Sequence, residues 1–425
     1  MQRGLIKAAS DGSDAVNPGR KLVGIMSELR NSESASTTAS PRLVSLDQFR
    51  GYTMLGMLLV NFCGGFDVCP QILKHSHDYC SYADTIMPQF LFAVGFSMRL
   101  SPGRRWEREG RLPWGRVIRR IGGLALIAVL WYSLWDYRSV CVAFQTRSFP
   151  VVLGELAKRT WFQTLMHIAA TSLWILPVIR YSPRLRILFL LVSAGLHVGV
   201  SGWFNFEWAN TSPKGIDGGP LGFLSWAVPA ILGSVTCDLV SQDGRAVRKL
   251  LGYGVIISLV GWLISFPSVL YSVDEPSAAI SGDQNLAKDP VFPDVSRYKN
   301  WQGQMMEAPF IRPPSSTRRQ WNYWMMTQRA ASISYTTFAA GVSMVLFGIF
   351  HLLCDRLRLQ AGVFRTLGTN SLAAYCLHDV ASWIISPLIA DAAAAGSVAL
   401  VFVVYATSVW GACRILESRR WYVRV

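Results

Sequence analysis

Apolar runs close to twenty residues long recur along this chain, and they constrain every fold it can adopt. A helix rises ~1.5 Å per residue, so ~20 residues cross ~30 Å of hydrocarbon. By that rule about ten spans fall near 48–66, 84–100, 117–135, 160–179, 186–204, 219–237, 250–270, 331–353, 366–389 and 396–413. Composition agrees: 51% of residues are hydrophobic and only 16% charged, which excludes an ordinary soluble enzyme. The expected fold is all-α, a polytopic membrane helix bundle. Residues 1–41 are polar and Ser-rich with no apolar core before a cleavage site, so they read as a disordered arm ahead of a membrane domain at 42–425.

Orientation follows from the basic residues, which cytoplasmic loops accumulate. With the N-terminus inside, 28 of the 41 Lys and Arg fall on the cytoplasmic side and 13 outside, seven of them in the long loop 271–330. Both termini are therefore expected in the cytoplasm, with a bacterial inner membrane as the location. The net charge of +15 is a product of this topology, so nucleic-acid binding is not expected. The pattern admits a homodimer without requiring one. Cys63, Cys69, Cys80 and Cys141 fall at or beyond the outer face, where Cys69 with Cys80 is the favoured bridge and free thiols are an equal alternative. No CxxC or His-rich spacing points to a metal.

Polar side chains at membrane depth are costly, and they mark functional sites. Asn61, His197 and His378 lie ~16–20 Å above the inner edge, and His167 lies ~10 Å below the outer one. Beyond them a loop from Asp67 to Ala83 carries His75 and His77 and leads into Asp84. A His, Asn and Asp cluster opening outward is expected. His197 reads better as an interhelical hydrogen-bond partner, His351 as an interfacial anchor, and Asp47 with Arg50 as an ion pair on one helical turn.

Ser45-Leu-Asp47-Gln-Phe-Arg50-Gly51, continuing to Val60-Asn61 and Gly64-Gly65, is similar to the opening signature of the heparan-alpha-glucosaminide N-acetyltransferase family. Ala83-Asp84-Thr-Ile-Met-Pro88-Gln-Phe-Leu-Phe92-Ala-Val-Gly95 resembles its second span. Phe162-Gln163 through His167, Ile216-Asp217-Gly-Gly-Pro-Leu221, and Leu367-Gly-Thr-Asn370 through His378 follow in the family's order. The resemblance covers roughly 42–390. It implies a membrane-embedded acyltransferase that takes an acetyl group from cytoplasmic acetyl-CoA to an amino sugar or glycan on the far side. An O-acyltransferase of a surface glycan or lipid-linked sugar is the alternative, and a transporter a more distant one. The family's essential His and its assisting Asn carry over to His75 and Asn61. The family His usually stands ten residues before the aspartate, where this chain has Lys74, so a one-residue shift assigns His75 ahead of His77.

These residue types suit the chemistry. A neutral imidazole can deprotonate an attacking amine, or carry the acyl group itself. An amide N–H can receive the developing oxyanion. Asp84 either orients the imidazole or caps a helix. The donor's phosphates call for cations, and the expected donor-binding set is Arg50, Arg99, Arg119, Arg120, His167, Asn370 and His378. The loop 271–330, with Trp301, Trp321 and Trp324, is long enough to cap the outer mouth; its Trp could stack on sugar faces, although an aromatic belt at the interface is the commoner reading.

Overall fold

The computed structural model describes residues 43–112, 114–242, 244–272, 286–299, 306–312 and 319–422. The arm 1–41 and Trp301 lie outside them. Among the described residues the regular structure is helical, apart from two isolated bridges, Ser272 with Arg319 and Leu286 with Trp321.

The bundle is built from α1 (Val44–Cys63), α2 (Ile86–Met98), α3 (Trp114–Trp135), α4 (Thr164–Ile175), α5 (Pro183–Val200) and α6 (Phe223–Gln242), followed by α7 (Ala246–Ile264), α8 (Ile333–Phe350), α9 (Gly362–Thr369), α10 (Ser371–Ile385) and α11 (Ala395–Ser418). Each expected span contains a helix. Among the described residues six helical stretches are long and apolar enough to cross a membrane: Trp114–Trp135, Pro183–Asn210, Gly219–Ser241, Ala246–Tyr271, Ile333–Arg356 and Ala395–Ser418. The others fall short for visible reasons. Asp47, Gln48 and Arg50 make the inner end of α1 polar. α2 has 13 residues and gives way to a π-helical turn, Arg99–Gly103, containing Pro102. α4 has 12 residues, and α10 has 15, ending where Ser386–Leu388 tightens around Pro387.

α6 is the centre, with 78% of its apolar window buried against 17% for α3. The peripheral helices turn bands of large apolar side chains outward, such as Leu126, Leu130 and Leu134 on α3, or Val255, Leu259 and Leu263 on α7. In water such bands would drive aggregation; in hydrocarbon they are the solvent-facing surface.

Association of helices in lipid depends on close packing at small residues. A Cβ on Gly95 of α2 would stand 1.7 Å from the Ala230 carbonyl oxygen of α6, and one on Gly233 would stand 2.0 Å from that of Phe92. The two backbones touch, which fixes α2 and the loop leading into it against the centre. At the C-terminal end of α2 Arg99 reaches Asp238 at 2.8 Å and Glu107 at 2.8 Å, while the fully buried Arg186 shares Asp238. Such buried charges survive because each is paired and hydrogen-bonded.

The described cysteines are all free. The expected Cys69–Cys80 bridge is absent because the two thiols pack in separate clusters, Cys69 beside Phe62 and Phe66, Cys80 beside Met87 and Trp226. His197 Nδ1 pairs with the Tyr323 hydroxyl at 2.7 Å, and His351 Nδ1 with Asp355 at 2.7 Å, so both have structural partners.

Candidate active site

The C-terminal ends of α1 and α3, the N-terminal ends of α2 and α4 and the middle of α10 border a cavity of about 600 Å³ whose walls include Asn61, His75, His77, Asp217, Gln328 and His378. Asn61 occupies the last turn of α1, which Gly64 and Gly65 end through turn bonds to Val60 and Phe62. The chain then crosses a loop with one 3₁₀ turn, Gln71–Leu73, before His75.

Asp84 holds this loop in shape. Its carboxylate is 1% exposed and accepts from His75 Nδ1 at 2.9 Å, Ser76 N at 3.3 Å, Ser81 N at 3.0 Å and Ser81 Oγ at 2.9 Å. An N-cap accepts from residues that follow it. Asp84's partners precede it, so it folds the loop back and fixes the imidazole. With Nδ1–H donated to the carboxylate, Nε2 is the remaining ring nitrogen. His75 is 39% exposed, as a side chain on a cavity wall should be. Burial disfavours its charged form, but the Asp84 hydrogen bond and charge, with Asp217 and Gln328, outweigh that and raise its pKa above the usual 6.5. His77 lies on the same wall with the opposite balance: burial, then Arg329 and His75, push it down to about 4. His75 is thus the stronger base of the two.

Across the cavity Asn61 Nδ2 donates to His378 Nε2 at 3.1 Å, and His378 Nδ1 donates to the Tyr375 carbonyl. These bonds orient the imidazole and hold the amide in place, with a second N–H on Asn61 for a ligand. Asp379, also on the wall, accepts from Trp131 Nε1 at 2.7 Å.

Of the expected donor-binding residues, only His378 lines this cavity. Arg99 is bound to Asp238 and Glu107, and Arg50 donates to Ser371 Oγ at 2.7 Å. Arg119 and Arg120 are exposed on the inner end of α3. His167 is buried against Phe162 and Trp226, and Asn370 is buried where α9 meets α10. The cations lining the cavity are Arg159 and Arg329.

Asp217, in sequence only part of a family landmark, is an acidic residue of the site itself. It stands at φ 54°, followed by Gly218 at 83° and Gly219 at 61°. A non-glycine residue held there costs ~1–3 kcal/mol, and such strain gathers at functional sites. Surrounding groups lock the turn: Gln328 Nε2 donates to Asp217 Oδ1 at 2.9 Å, Trp226 Nε1 to its carbonyl at 2.8 Å, and Gly218 N to the Arg329 carbonyl at 2.9 Å. Burial raises the Asp217 carboxyl to about 7, with Gln328 and His75 opposing and Asp84 adding to the rise. Because Asp217 also helps hold the His75 pKa up, Asp217→Asn should move the acidic limb of the pH–rate profile to lower pH. An unmoved limb would separate Asp217 from His75 electrostatically.

The helical, membrane-type bundle thus places a carboxylate-held histidine and a fixed amide on one polar cavity, a pairing suited to acid–base chemistry. Residues 42–219 match the family model described as heparan-alpha-glucosaminide N-acetyltransferase, catalytic, and the match supports that family for this segment. No curated protein matches the chain. The match and the apolar helices together point to a membrane acetyltransferase.

Proposed function

We propose that the protein transfers the acetyl group of acetyl-CoA to the amino group of a sugar or glycan, with donor supplied from the cytoplasm and acceptor from the far side. The observation that carries this reading is the single cavity shared by Asn61 and the His75–Asp84 pair. The ten-span topology with both termini in the cytoplasm belongs to the same proposal, supported by the helix in each expected segment and the inward bias of basic residues.

The acceptor nitrogen attacks the thioester carbonyl while His75 Nε2 takes the proton that nitrogen loses. Asn61 Nδ2–H receives the negative charge developing on the carbonyl oxygen. Collapse breaks the C–S bond, and the proton on His75 passes to the departing sulfur, leaving an amide and a free thiol. Asp84 stabilises the imidazolium in between. Acetyl-CoA is a substrate here, and among the described residues no group of His, Cys, Asp or Glu is arranged to hold a metal.

The test is acetyl transfer by purified protein in detergent, reading thiol release and acetylated glucosamine together. Asn61→Ala should lower kcat about 10²–10³-fold, as loss of one oxyanion donor costs ~2.7–4 kcal/mol of activation free energy. Solute flux with no acyl turnover would overturn the proposal.

A further inference from the structure

A second, smaller pocket of about 340 Å³ opens beside the first and shares His75, His77 and Arg329 with it. Its wall carries Lys74, Lys214, Arg312 and Arg329 around Trp321, with Asp78 as its one carboxylate among the described residues. Lys214 Nζ stands 5.6 Å from the centre of the Trp321 ring and Arg329 Cζ 4.9 Å from it. Trp321 therefore serves as a support for cations, a different role from the sugar platform expected of it. Asp78 is held by Ser76 Oγ at 2.8 Å.

One feature makes this wall unusual. Lys74 and Lys214 are each the lone cation of their segments, yet they meet Arg312 and Arg329 of the loop 271–330, so that four cations from three separate stretches of sequence converge on this pocket. Like charges gathered in a concave site repel one another and favour a counter-anion. The depression of His77 by Arg329, and by Lys214 to a smaller extent, registers the same positive potential.

We propose that this vestibule binds an oxyanion carried by the acceptor, a phosphate, sulfate or carboxylate, and so seats the acceptor's nucleophile against His75. The inference rests on the acetyl-transfer reading for its catalytic consequence, while the anion site can be read by binding alone. An anion here would make charge-assisted hydrogen bonds to Lys and Arg on one side of His75, leaving the reacting group to extend into the adjoining cavity.

The experiment compares glucosamine with glucosamine 6-phosphate as acceptors for the full chain in detergent, using wild type and the double variant Lys74→Gln/Arg312→Gln. A polyprenyl-linked amino-sugar diphosphate forms a separate arm, so that a lipid-borne phosphate is distinguished from a soluble one. Wild type should show a KM at least about tenfold lower for a phosphorylated acceptor than for glucosamine, and the difference should shrink as salt is raised. The double variant should bring that ratio close to one. Direct titration of glucosamine 6-phosphate without acetyl-CoA runs in parallel, with binding expected in wild type and a loss of about tenfold or more in the variant. Equal KM values for phosphorylated and plain acceptors in wild type would overturn the proposal, as would a variant whose KM rises for acetyl-CoA while the acceptor preference stays. If no acceptor is acetylated, the enzymatic reading fails, but binding of the sugar phosphate that disappears in the variant still supports the anion site.

Discussion

Replacing His75 with alanine should reduce acetyl transfer about 10²–10⁴-fold, the range a positioned general base contributes. The protein should stay folded, because the imidazole is 39% exposed and makes its ring hydrogen bond to Asp84, a carboxylate that retains Ser76 and Ser81 as donors. Asp84→Asn makes an informative companion. It keeps the shape but removes the charge that lifts the His75 pKa, so the acidic limb should move to lower pH while kcat falls. In the other direction, His77→Ala should leave the limb where it is or shift it slightly upward, since His77 titrates at about 4 and is neutral across the working range. A profile controlled by His77 would contradict the assignment.

Assembly of the bundle is equally sensitive to a single change. Gly95→Val should destabilise the folded protein by ~3 kcal/mol or more, read as early thermal unfolding in detergent. The new Cβ would fall 1.7 Å from the Ala230 carbonyl oxygen, and that neighbour is backbone of the central helix, which cannot swing aside as a side chain would. Separating α2 from α6 would also disturb the turn that presents Asp84, so activity and stability should fall together. Gly122→Ala is the control. A Cβ on Gly122 meets nothing within 4 Å, so a substitution there on exposed α3 should be neutral or stabilising by up to ~1 kcal/mol.

Much of the architecture was legible because the bilayer imposes a length on apolar runs and a sign on the loops between them. The helices at Trp114–Trp135 and Ala395–Ser418 follow from those rules alone. Asn61, His75 and Asp84 were legible because the signature residues lie close together in sequence and the loop that joins them is short. Asp217, Gln328 and Arg329 were not: Asp217 arrives on the turn that precedes α6, and Gln328 and Arg329 through the return of a distant loop whose docking depends on contacts such as Arg319 Nη2 to the Asp78 carbonyl at 2.8 Å and Phe310 N to the Cys80 carbonyl at 2.9 Å. A hint was present in Asp217-Gly-Gly, where two glycines permit the left-handed turn that the preceding aspartate also adopts. Arg99 shows the reverse case. A basic cluster near one end of the helices suggests phosphate binding, but Asp238 lies 139 residues away in sequence, and only the folded chain reveals that it pairs with this guanidinium. For His167 and Asn370 the depth in the span was legible, but the helix face that each side chain occupies was not.

The decisive experiment for acetyl transfer between His75 and Asn61 is a structure of the protein bound to a non-cleavable thioether analogue of acetyl-CoA. The analogue's carbonyl oxygen should lie about 2.7–3.1 Å from Asn61 Nδ2. Its carbonyl carbon should face His75 Nε2 across a gap that one water or amine fills, the bridging atom about 3–3.5 Å from that carbon. A carbonyl group seated outside the cavity, or on the far side of α6 from His75, would contradict the assignment.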